Sequence, residues 1–542
     1  MRLPLAALAL LATSCATTQH PPAGTDADTV AWWGITGDLS SDAMEGRDTG
    51  SAGYDRAAKY VAERFAKAGL QPAGENSTWF QTLPLQELRV EKEGTSFELV
   101  SNLHGVGDRV LSATTTTTLE FLRDITVRPI RSLPSQLDAS LAFRGYCSPQ
   151  EMTEVEESVV VCFGSRRAGV TTAVQRLDAA AKAGAAAIIN VDDAGFNIEP
   201  PRWPEAYARA LSFRESSVVS YPRMPAMRLS SEGFATMMNQ YRENAAAILP
   251  DDDLPSVLAI AESGHSAAAI LKAGAASQPL PSFDIPTRLR ATFNQSVRQL
   301  QSDNILAILP GTDPVLKEEF VIVSAHLDGY GYGEPVNGDA LYNGAFDDAA
   351  YVATLIRLAE RQAGRGFKRS VLFAAYTGEE KGLLGSTWFA SHLTIPKEKI
   401  AAVVNLDQLR PLFPLKILTM HAIDDTTLVN NVRRVADAMG IEIRPDLEPE
   451  RNLNQRTDHW PFLRMGVPAT NFVFGFDPGT EAEKRYREWY QTRYHRPQDD
   501  MNQPLDWGAA RDMNTFLYRL VEDIANDPIR PSFVAGSPSA PN

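Results

Sequence analysis

Three short apolar runs in the last part of the sequence each end in side chains that can bind metal ions. They are residues 321–328 (VIVSAHLD), 371–380 (VLFAAYTGEE) and 401–407 (AAVVNLD). A short and nearly continuous apolar run is typical of a parallel strand that is buried on both faces. Open α/β sheets place their functional sites at the carboxyl ends of such strands. The sequence therefore predicts an α/β fold with a metal site at that edge of the sheet.

Two further segments supply polar groups of the same kind. Residues 342–350 (YNGAFDDAA) form a glycine-containing turn that carries Asp347 and Asp348, and residues 494–499 (YHRPQD) place His495 on a proline-marked loop. Imidazole and carboxylate groups are ordinary zinc ligands, and a carboxylate can bridge two ions that lie about 3.5–4 Å apart. The predicted set, with one glutamate to spare, suits two zinc ions: His326, Asp347, Glu379, Glu380, Asp407 and His495.

Glu379 and Asp328 have predicted roles beside the ligands. Peptide hydrolysis needs a metal because a peptide carbonyl is a poor electrophile and water is a poor nucleophile. Glu379 adjoins a predicted ligand without being needed as one, so it can pass a proton from the water to the leaving amine. Asp328 lies two residues after His326 and can accept the N–H of the other imidazole nitrogen. If the substrate is a peptide, a second ion can hold its free α-amino group, which would make the enzyme an exopeptidase.

The motifs resemble those of the co-catalytic zinc aminopeptidases, a family that also contains glutamate carboxypeptidase and glutaminyl cyclases. In chain order they are His-x-Asp, Asn-Gly-Ala-x-Asp-Asp-Ala, Gly-Glu-Glu-x-Gly-x-x-Gly-Ser, Asn-Leu-Asp and His-x-Pro-x-Asp. Residues 39–74 also resemble the family's amino-terminal helix and lead-in. One such motif is weak support, but five in the family order with compatible spacing are strong support.

This resemblance implies a role for each residue that matches a motif. Glu379 would be the general base, and Asp348 would follow a cis peptide bond. The two zinc ions would share Asp347, with His326 and Asp407 completing one site and Glu380 and His495 completing the other.

Three segments near the motifs bear on the same site. Phe346 stands where relatives often have Asp, a change that should not remove a metal contact because the second acid of that pair is the ligand. Residues 408–410 (QLR) replace a Met and then a Gly of many relatives at the wall of the site, which leaves substrate preference open. Residues 456–462 (RTDHWPF) resemble a family element, so Asp458 and His459 are predicted to line the site; the alternative is a packed loop.

Composition and the amino terminus favour an exported enzyme. The formal net charge of -15 argues against binding to nucleic acid or to anionic membranes. Residues 1–15 have a basic start, a short apolar stretch and small residues before Cys15, which resembles a bacterial lipoprotein signal. Cys15 would then carry a lipid anchor at the periplasmic face of a bacterial membrane, and ordinary cleavage with free secretion is the alternative. Residues 16–29 are predicted to be a flexible tether.

The rest of the chain is predicted to form a peptidase domain with an insert. Strand-like runs at 159–163 and 185–191, separated by an Ala-rich helix, resemble the small β-rich protease-associated domain. Within the insert, residues 202–249 are predicted to form an extra lid, and Cys147 and Cys162 either pair or remain two buried thiols. The predicted order is 30–122, the amino-terminal part of the peptidase domain; 123–282, the insert; 283–525, the catalytic part; and 526–542, a disordered tail.

The predicted fold class is therefore α/β, with a mixed, mostly parallel sheet between helices and a smaller inserted β-rich domain. The predicted function is that of an exported zinc aminopeptidase acting on peptides with a free amino terminus, and its ligands would also accept cobalt or manganese. Alternatives are a carboxypeptidase, a glutaminyl-cyclase-like relative, or a non-enzymatic receptor-like member in which the ligand positions have usually decayed. The sequence does not indicate the oligomeric state.

Overall fold

A computed structural model describes residues 19–104, 112–194, 196, 204–214, 224–248, 266–537 and 539. The predicted signal segment with Cys15, and the start of the tether, lie outside the described residues. The tether prediction is wrong at its end, because a helix begins at Ala27 (Ala27–Leu39). The Asp26 carboxylate caps this helix by accepting from the Thr29 backbone N–H at 2.9 Å. Trp32 then anchors it by donating to the Ala350 carbonyl at 2.7 Å.

The catalytic part of the chain is built on an eight-stranded mixed sheet. Its four strands nearest the predicted site are parallel, and three of them are the apolar runs that predict parallel strands, whereas the remaining pairs are antiparallel. The sheet is thus mixed but not mostly parallel, because the strand Gln295–Leu309 reverses direction and pairs with further antiparallel strands. In spatial order the strands are Ala469–Thr470, Ile400–Asn405, Phe320–His326, Ser370–Tyr376, Gln295–Leu309, Phe80–Val90 and Arg209–Phe213, with Gln71–Pro72 beside Gln295–Leu309.

Helices cover both faces of this sheet, as predicted. Successive strand residues point to opposite faces, so Val321 and Val323 belong to one buried cluster and Ile322 to the other. The first face packs against Ala27–Leu39, Ala52–Lys67, Ala350–Arg361 and Trp507–Asn526, and the second against Leu384–Ser391 and Trp460–Arg464. The helices Leu428–Met439 and Glu481–Thr492 and a small sheet of Glu442–Arg444, Ile417–Met420 and Phe472–Phe474 complete this part. Among the described helices, none is long and apolar enough to cross a membrane.

A second eight-stranded sheet forms the insert, and it begins earlier than residue 123. The strands Ser96–His104 and Ser112–Leu119 belong to it, because Phe97 and Leu99 pack in its core and pair with Ser282–Thr292. The predicted boundaries at 123 and 282 are therefore wrong for the sheet, which extends to Thr292. In spatial order its strands are Ser112–Leu119, Ser96–His104, Ser282–Thr292, Gln136–Arg144, Val159–Gly164, Ala187–Asp192, Ala226–Leu229 and Ile125–Arg128. Its helices are Ala173–Lys182, Ser231–Ile248 and Ala267–Ala275.

The predicted lid at 202–249 does not form one unit. Its first described part, the helix Pro204–Tyr207 and the strand Arg209–Phe213, reaches the catalytic sheet, where the strand pairs with Phe80–Val90. Its later part, Ala226–Leu229 and Ser231–Ile248, belongs to the insert instead. The insert also contains a disulfide between Cys147 and Cys162, which settles the alternatives that the sequence left open. Its likeness to a protease-associated domain stays a prediction.

The tail is ordered in its described part, contrary to prediction. Thr427 donates from its backbone to the Ser532 carbonyl at 2.8 Å, and Val534 donates to the Asp425 carbonyl at 2.9 Å. Between these two contacts, Phe533 packs against one of the buried clusters of the catalytic sheet. The Pro-rich composition predicted disorder, but one aromatic side chain with paired backbone groups is sufficient to fix the segment up to residue 537.

Candidate metal centre

The predicted metal-binding side chains lie together at one edge of the catalytic sheet. His326 is the last residue of its strand and is in register with Tyr376, and Ser324 of the same strand is in register with Asn405. Two of these parallel strands therefore end at the same level, whereas the strand Ile400–Asn405 ends two residues earlier. The residues that follow them, Glu379 and Asp407 among them, meet beyond this edge, where the sequence predicts them.

The donor atoms form two groups that share Asp347. Within each group the atoms lie within 4.8 Å of one another, and the groups are His326, Asp347, Asp348 and Asp407 and, on the other side, Asp347, Glu380 and His495. Asp347 turns one oxygen to each imidazole: Oδ1 lies 3.4 Å from His326 Nε2, and Oδ2 lies 3.3 Å from His495 Nε2. The Glu380 carboxylate is 3.4 Å from the same nitrogen of His495. This arrangement can hold two ions with one bridging carboxylate.

The buried donor atoms and carboxylates of the centre need positively charged partners. His326 Nε2 and Asp407 Oδ1 are buried and make no hydrogen bond to any residue that the structure describes. Burial raises the pKa of Asp407 to about 6, and it raises the pKa of Asp348 well above its ordinary value, with the charges of neighbouring carboxylates adding to both. Buried, unpaired donors are costly unless a metal or another partner compensates them. The imidazole and carboxylate donors fit zinc.

His326 is held in the tautomer that a metal ligand requires. Its Nδ1 lies 3.0 Å from the backbone carbonyl oxygen of Asp328, which can only accept a hydrogen bond. Nδ1 therefore carries the proton, and the lone pair of Nε2 faces the donor group. The sequence predicts this contact for the Asp328 carboxylate, which is wrong, because that carboxylate is 3.7 Å away and faces the neighbouring strand end.

The Asp328 carboxylate instead positions the two adjacent glutamates. It accepts hydrogen bonds from the backbone N–H groups of Glu379 at 3.0 Å and Glu380 at 3.3 Å. The hydroxyl of Thr49 also donates to it, at 3.2 Å. A single buried carboxylate thus fixes the backbone from which both glutamate side chains enter the centre.

Glu379 differs from Glu380 in its surroundings. Its carboxylate lies 3.9 Å from His326 Nε2, and its side chain is 11% exposed, whereas that of Glu380 is 3% exposed. Glu379 belongs to neither donor group. Burial, with the nearby charges of Glu380 and Asp407, raises its pKa well above the ordinary value. Glu379 is therefore placed to exchange protons at the open side of the centre.

The turn that carries Asp347 and Asp348 is tightly built. The peptide bond between them is cis, as the family resemblance implies. Gly344 has φ +60, and a Cβ there would lie 2.3 Å from the Asp347 carbonyl oxygen, so the turn needs glycine at this position. Asp348 does not extend toward the second group. It accepts from the His326 backbone N–H at 2.9 Å and so ties the turn to the strand end.

The sequence interpretation missed Asp499, which holds this turn from the other side. Its carboxylate accepts from the backbone N–H groups of Phe346 and Asp347, both at 3.0 Å. Its own carbonyl accepts from Ala345 at 2.9 Å. The signal was present, because Asp499 is the last residue of the His-x-Pro-x-Asp motif.

Two buried arginines also support the centre, and the sequence analysis assigned a role to neither, although it placed residues 408–410 at the wall of the site. Arg47 donates to the carbonyls of Leu327 at 2.7 Å and Gly344 at 2.8 Å, and so links two loops of the centre. Arg410, from the segment that departs from the family pattern, has Nη2 3.8 Å from Asp347 Oδ2 and its guanidinium 4.3 Å from the Trp489 ring. It places a cation behind the shared carboxylate. Both arginines lie in segments that the sequence analysis singled out, residues 39–74 and 408–410, but their contacts depend on elements that are distant in sequence.

Asp458 and His459 do not both reach the centre. Both ring nitrogens of His459 are engaged locally, Nδ1 by the Thr457 hydroxyl at 2.7 Å and Nε2 by the Asn454 side chain at 2.9 Å. The prediction that His459 lines the site is therefore not supported, and the packed-loop alternative describes it. Asp458 is buried nearer the centre and accepts from the Ser386 hydroxyl. Burial raises its pKa to about 7.

Comparison with known proteins agrees with this geometry. Residues 304–521 match the model of peptidase family M28. The leupeptin-inactivating enzyme 1 of Streptomyces exfoliatus is 24% identical over 236 residues, 42% of this chain and 50% of that protein, so the chain spans half the length of this relative.

Two solved structures share the fold over nearly the whole chain. The aminopeptidase from Aneurinibacillus sp. strain AM-1 has a TM-score of 0.56 at 16% identity, covering 93% of this chain and 95% of that one. A zinc aminopeptidase from Bacillus subtilis has a TM-score of 0.51 at 15% identity, covering 92% and 95%. Residues 304–521, which carry all five motifs, are therefore similar to peptidase family M28.

Proposed function

We propose that this protein is an exported, zinc-dependent aminopeptidase that removes amino-terminal residues from peptides. The observation that carries the proposal is the pair of donor groups that share Asp347, each with one histidine and further carboxylates. No predicted ligand position has been lost, which disfavours a receptor-like relative without activity. The names of the two structures with the same fold, both aminopeptidases, support the same reaction class.

Each residue of the centre has a distinct task in this proposal. His326 and Asp407 would hold one ion, Glu380 and His495 the other, and Asp347 both. Ions bound there polarise a peptide carbonyl and lower the pKa of water. Glu379 takes the proton from the attacking water and delivers it to the departing amine, for which a raised carboxyl pKa is suited. Asp328 and Asp499 keep the glutamate pair and the Asp347 turn in place during this exchange.

The free α-amino group should be essential for cleavage. In the proposed centre one ion and its carboxylates would hold the free α-amino group. An acetylated amino terminus is an amide, so it can neither carry a positive charge nor bind the ion as an amine. We expect a leucine amide with a chromogenic leaving group to be hydrolysed at least about 100-fold faster than its acetylated form, as loss of a charged contact of this kind is typically worth a few kcal/mol. Equal rates, or cleavage inside a longer peptide, would exclude an aminopeptidase. A carboxypeptidase would be recognised by its requirement for a free carboxyl terminus.

Export through a lipidated Cys15 is the second part of the proposal. When cells expressing the full chain are labelled with a radioactive fatty acid, the wild type should be tagged and fractionate with membranes, because acyl chains anchor a protein in a bilayer. A Cys15→Ser variant should be untagged. This substitution tests lipidation specifically, because it removes the thiol of Cys15 and leaves the apolar stretch of residues 1–15 intact. An untagged, freely released wild type would instead indicate ordinary secretion.

A further inference from the structure

A groove opens beside the metal centre where the insert meets the catalytic sheet. It has a volume of about 190 Å³, and at one end it is lined by Glu380 and Lys381, which directly follow Glu379. The groove is also lined by the start of the strand Arg209–Phe213 and by Ala206 and Tyr207 just before it. This strand comes from the insert and extends the catalytic sheet by pairing with Phe80–Val90. The insert therefore forms part of the wall next to the proposed catalytic glutamate.

The groove is basic although the protein is acidic. Four cationic side chains line it, those of Arg89, Arg128, Arg209 and Lys381, and Glu380 is the single acidic residue among the described residues of its wall. The whole chain has a formal net charge of -15. A local concentration of positive charge in a concave surface attracts anions and raises their local concentration.

Two of these arginines lie where their positive charges repel each other. Arg89 and Arg209 lie directly opposite each other on neighbouring antiparallel strands, and like charges at such positions repel. Arg209 is compensated by Glu87 and, at 2.6 Å, by Asp48. Arg89 is exposed and makes no ion pair with any described residue. The exposed guanidinium of Arg89 is therefore available to an anion that enters the groove.

Lys381 is compensated in the same way as Arg209. Its ammonium lies 3.2 Å from Asp48 and 4.4 Å from the centre of the Tyr330 ring. Asp48 is thus shared by Arg209 and Lys381, whereas Glu87 pairs with Arg209 and Arg298, and neither acid lines the groove. Metal at Glu380 would neutralise the remaining acid of the wall, so the excess of positive charge would be larger in the loaded protein.

We propose that this groove binds a carboxylate on the C-terminal side of the bond that is cleaved. The inference rests on the proposed aminopeptidase function, in which the amino terminus of the peptide ends in the metal centre. The rest of the peptide must then leave past the open side, at Glu379, and the groove is lined by the two residues that follow it, Glu380 and Lys381. The carboxylate is either the acidic side chain of a following residue or the C-terminal carboxylate of a short peptide.

Four peptides distinguish these two sources. Leu-Asp-Ala amide and Leu-Asn-Ala amide differ in the side chain, whereas Leu-Ala-Ala as free acid and as amide differ in the terminus. We expect kcat/KM to be about fivefold higher for the acidic member of at least one pair at low ionic strength, in the range of exposed ion pairs. The preference should shrink at about 0.5 M salt, where exposed charges are screened. The pair that shows it identifies the source.

Variants of the groove provide the decisive comparison. In Arg89→Gln and Arg128→Gln the ratio of acidic to neutral substrate should fall toward one. Arg288→Gln is the matched control, because Arg288 is an exposed arginine of the insert that pairs with Asp138 and does not line the groove. It should keep the wild-type ratio. Equal rates within both pairs for the wild type, or a preference that survives in both groove variants, would overturn the inference.

The same experiment separates this inference from the proposed function. If the zinc-loaded protein cleaves none of the four leucine peptides, the aminopeptidase proposal fails. Calorimetry on a zinc-loaded Glu379→Gln variant still measures binding of the four peptides, since it does not depend on cleavage. Tighter binding of the acidic member, lost on Arg89→Gln in the same background, would then support the groove. Equal binding of both members of each pair would reject it.

Discussion

A Glu379→Gln variant should lose about 10²–10⁴-fold in kcat while it keeps its fold and its metal content. Glutamine has nearly the same shape, and the backbone N–H that donates to Asp328 at 3.0 Å is unchanged. The variant lacks the carboxylate that accepts the proton, and general acid–base assistance is typically worth this factor. KM should change much less, because Glu379 belongs to neither donor group. Steady-state kinetics and metal analysis of the same preparation test the prediction.

Glu380→Gln is the control that separates the two neighbouring residues. Its carboxylate lies 3.4 Å from His495 Nε2 in the second donor group, so this variant should lose metal and regain part of its activity with excess zinc. If Glu379→Gln retained most of its activity, another group would have to be the base. If Glu379→Gln lost metal and Glu380→Gln did not, the two roles would be exchanged.

The metal centre could be predicted largely because its ligands are marked by local patterns in the sequence. Each of three apolar runs ends in a ligand, and the register that aligns His326 with Tyr376 follows from parallel strands of similar length. Local sequence patterns could not predict contacts that depend on the relative placement of two elements. The Asp328 carboxylate is an example, because its partners, the N–H groups of Glu379 and Glu380, follow another strand.

The prediction of the insert's boundaries was wrong for a related physical reason. The strands Phe80–Val90 and Ser96–His104 are close in sequence, and both carry buried hydrophobic residues, yet they join different sheets. What decides between the sheets is the pairing of Ser96–His104 with Ser282–Thr292, nearly 200 residues away, which no local pattern shows. His459 illustrates the same limit within a loop, where its two partners, Thr457 and Asn454, satisfy the ring without the metal centre.

Removing metal should abolish activity. Among substitutions of the ligands, that of Asp347 should reduce metal binding most, because both donor groups share this residue. Treatment with a chelator should reduce hydrolysis to background, and zinc should restore it with a plateau at two ions per chain. Asp347→Asn removes the one carboxylate common to both donor groups, so metal analysis should find less than one ion per chain. His495→Ala removes a donor from one group alone and should leave about one ion bound at His326 and Asp407. Asp458→Asn, which alters a buried acid that belongs to neither group, should retain two. Equal metal loss in the Asp347 and His495 variants would contradict a shared carboxylate, because two separate sites would lose their ions independently.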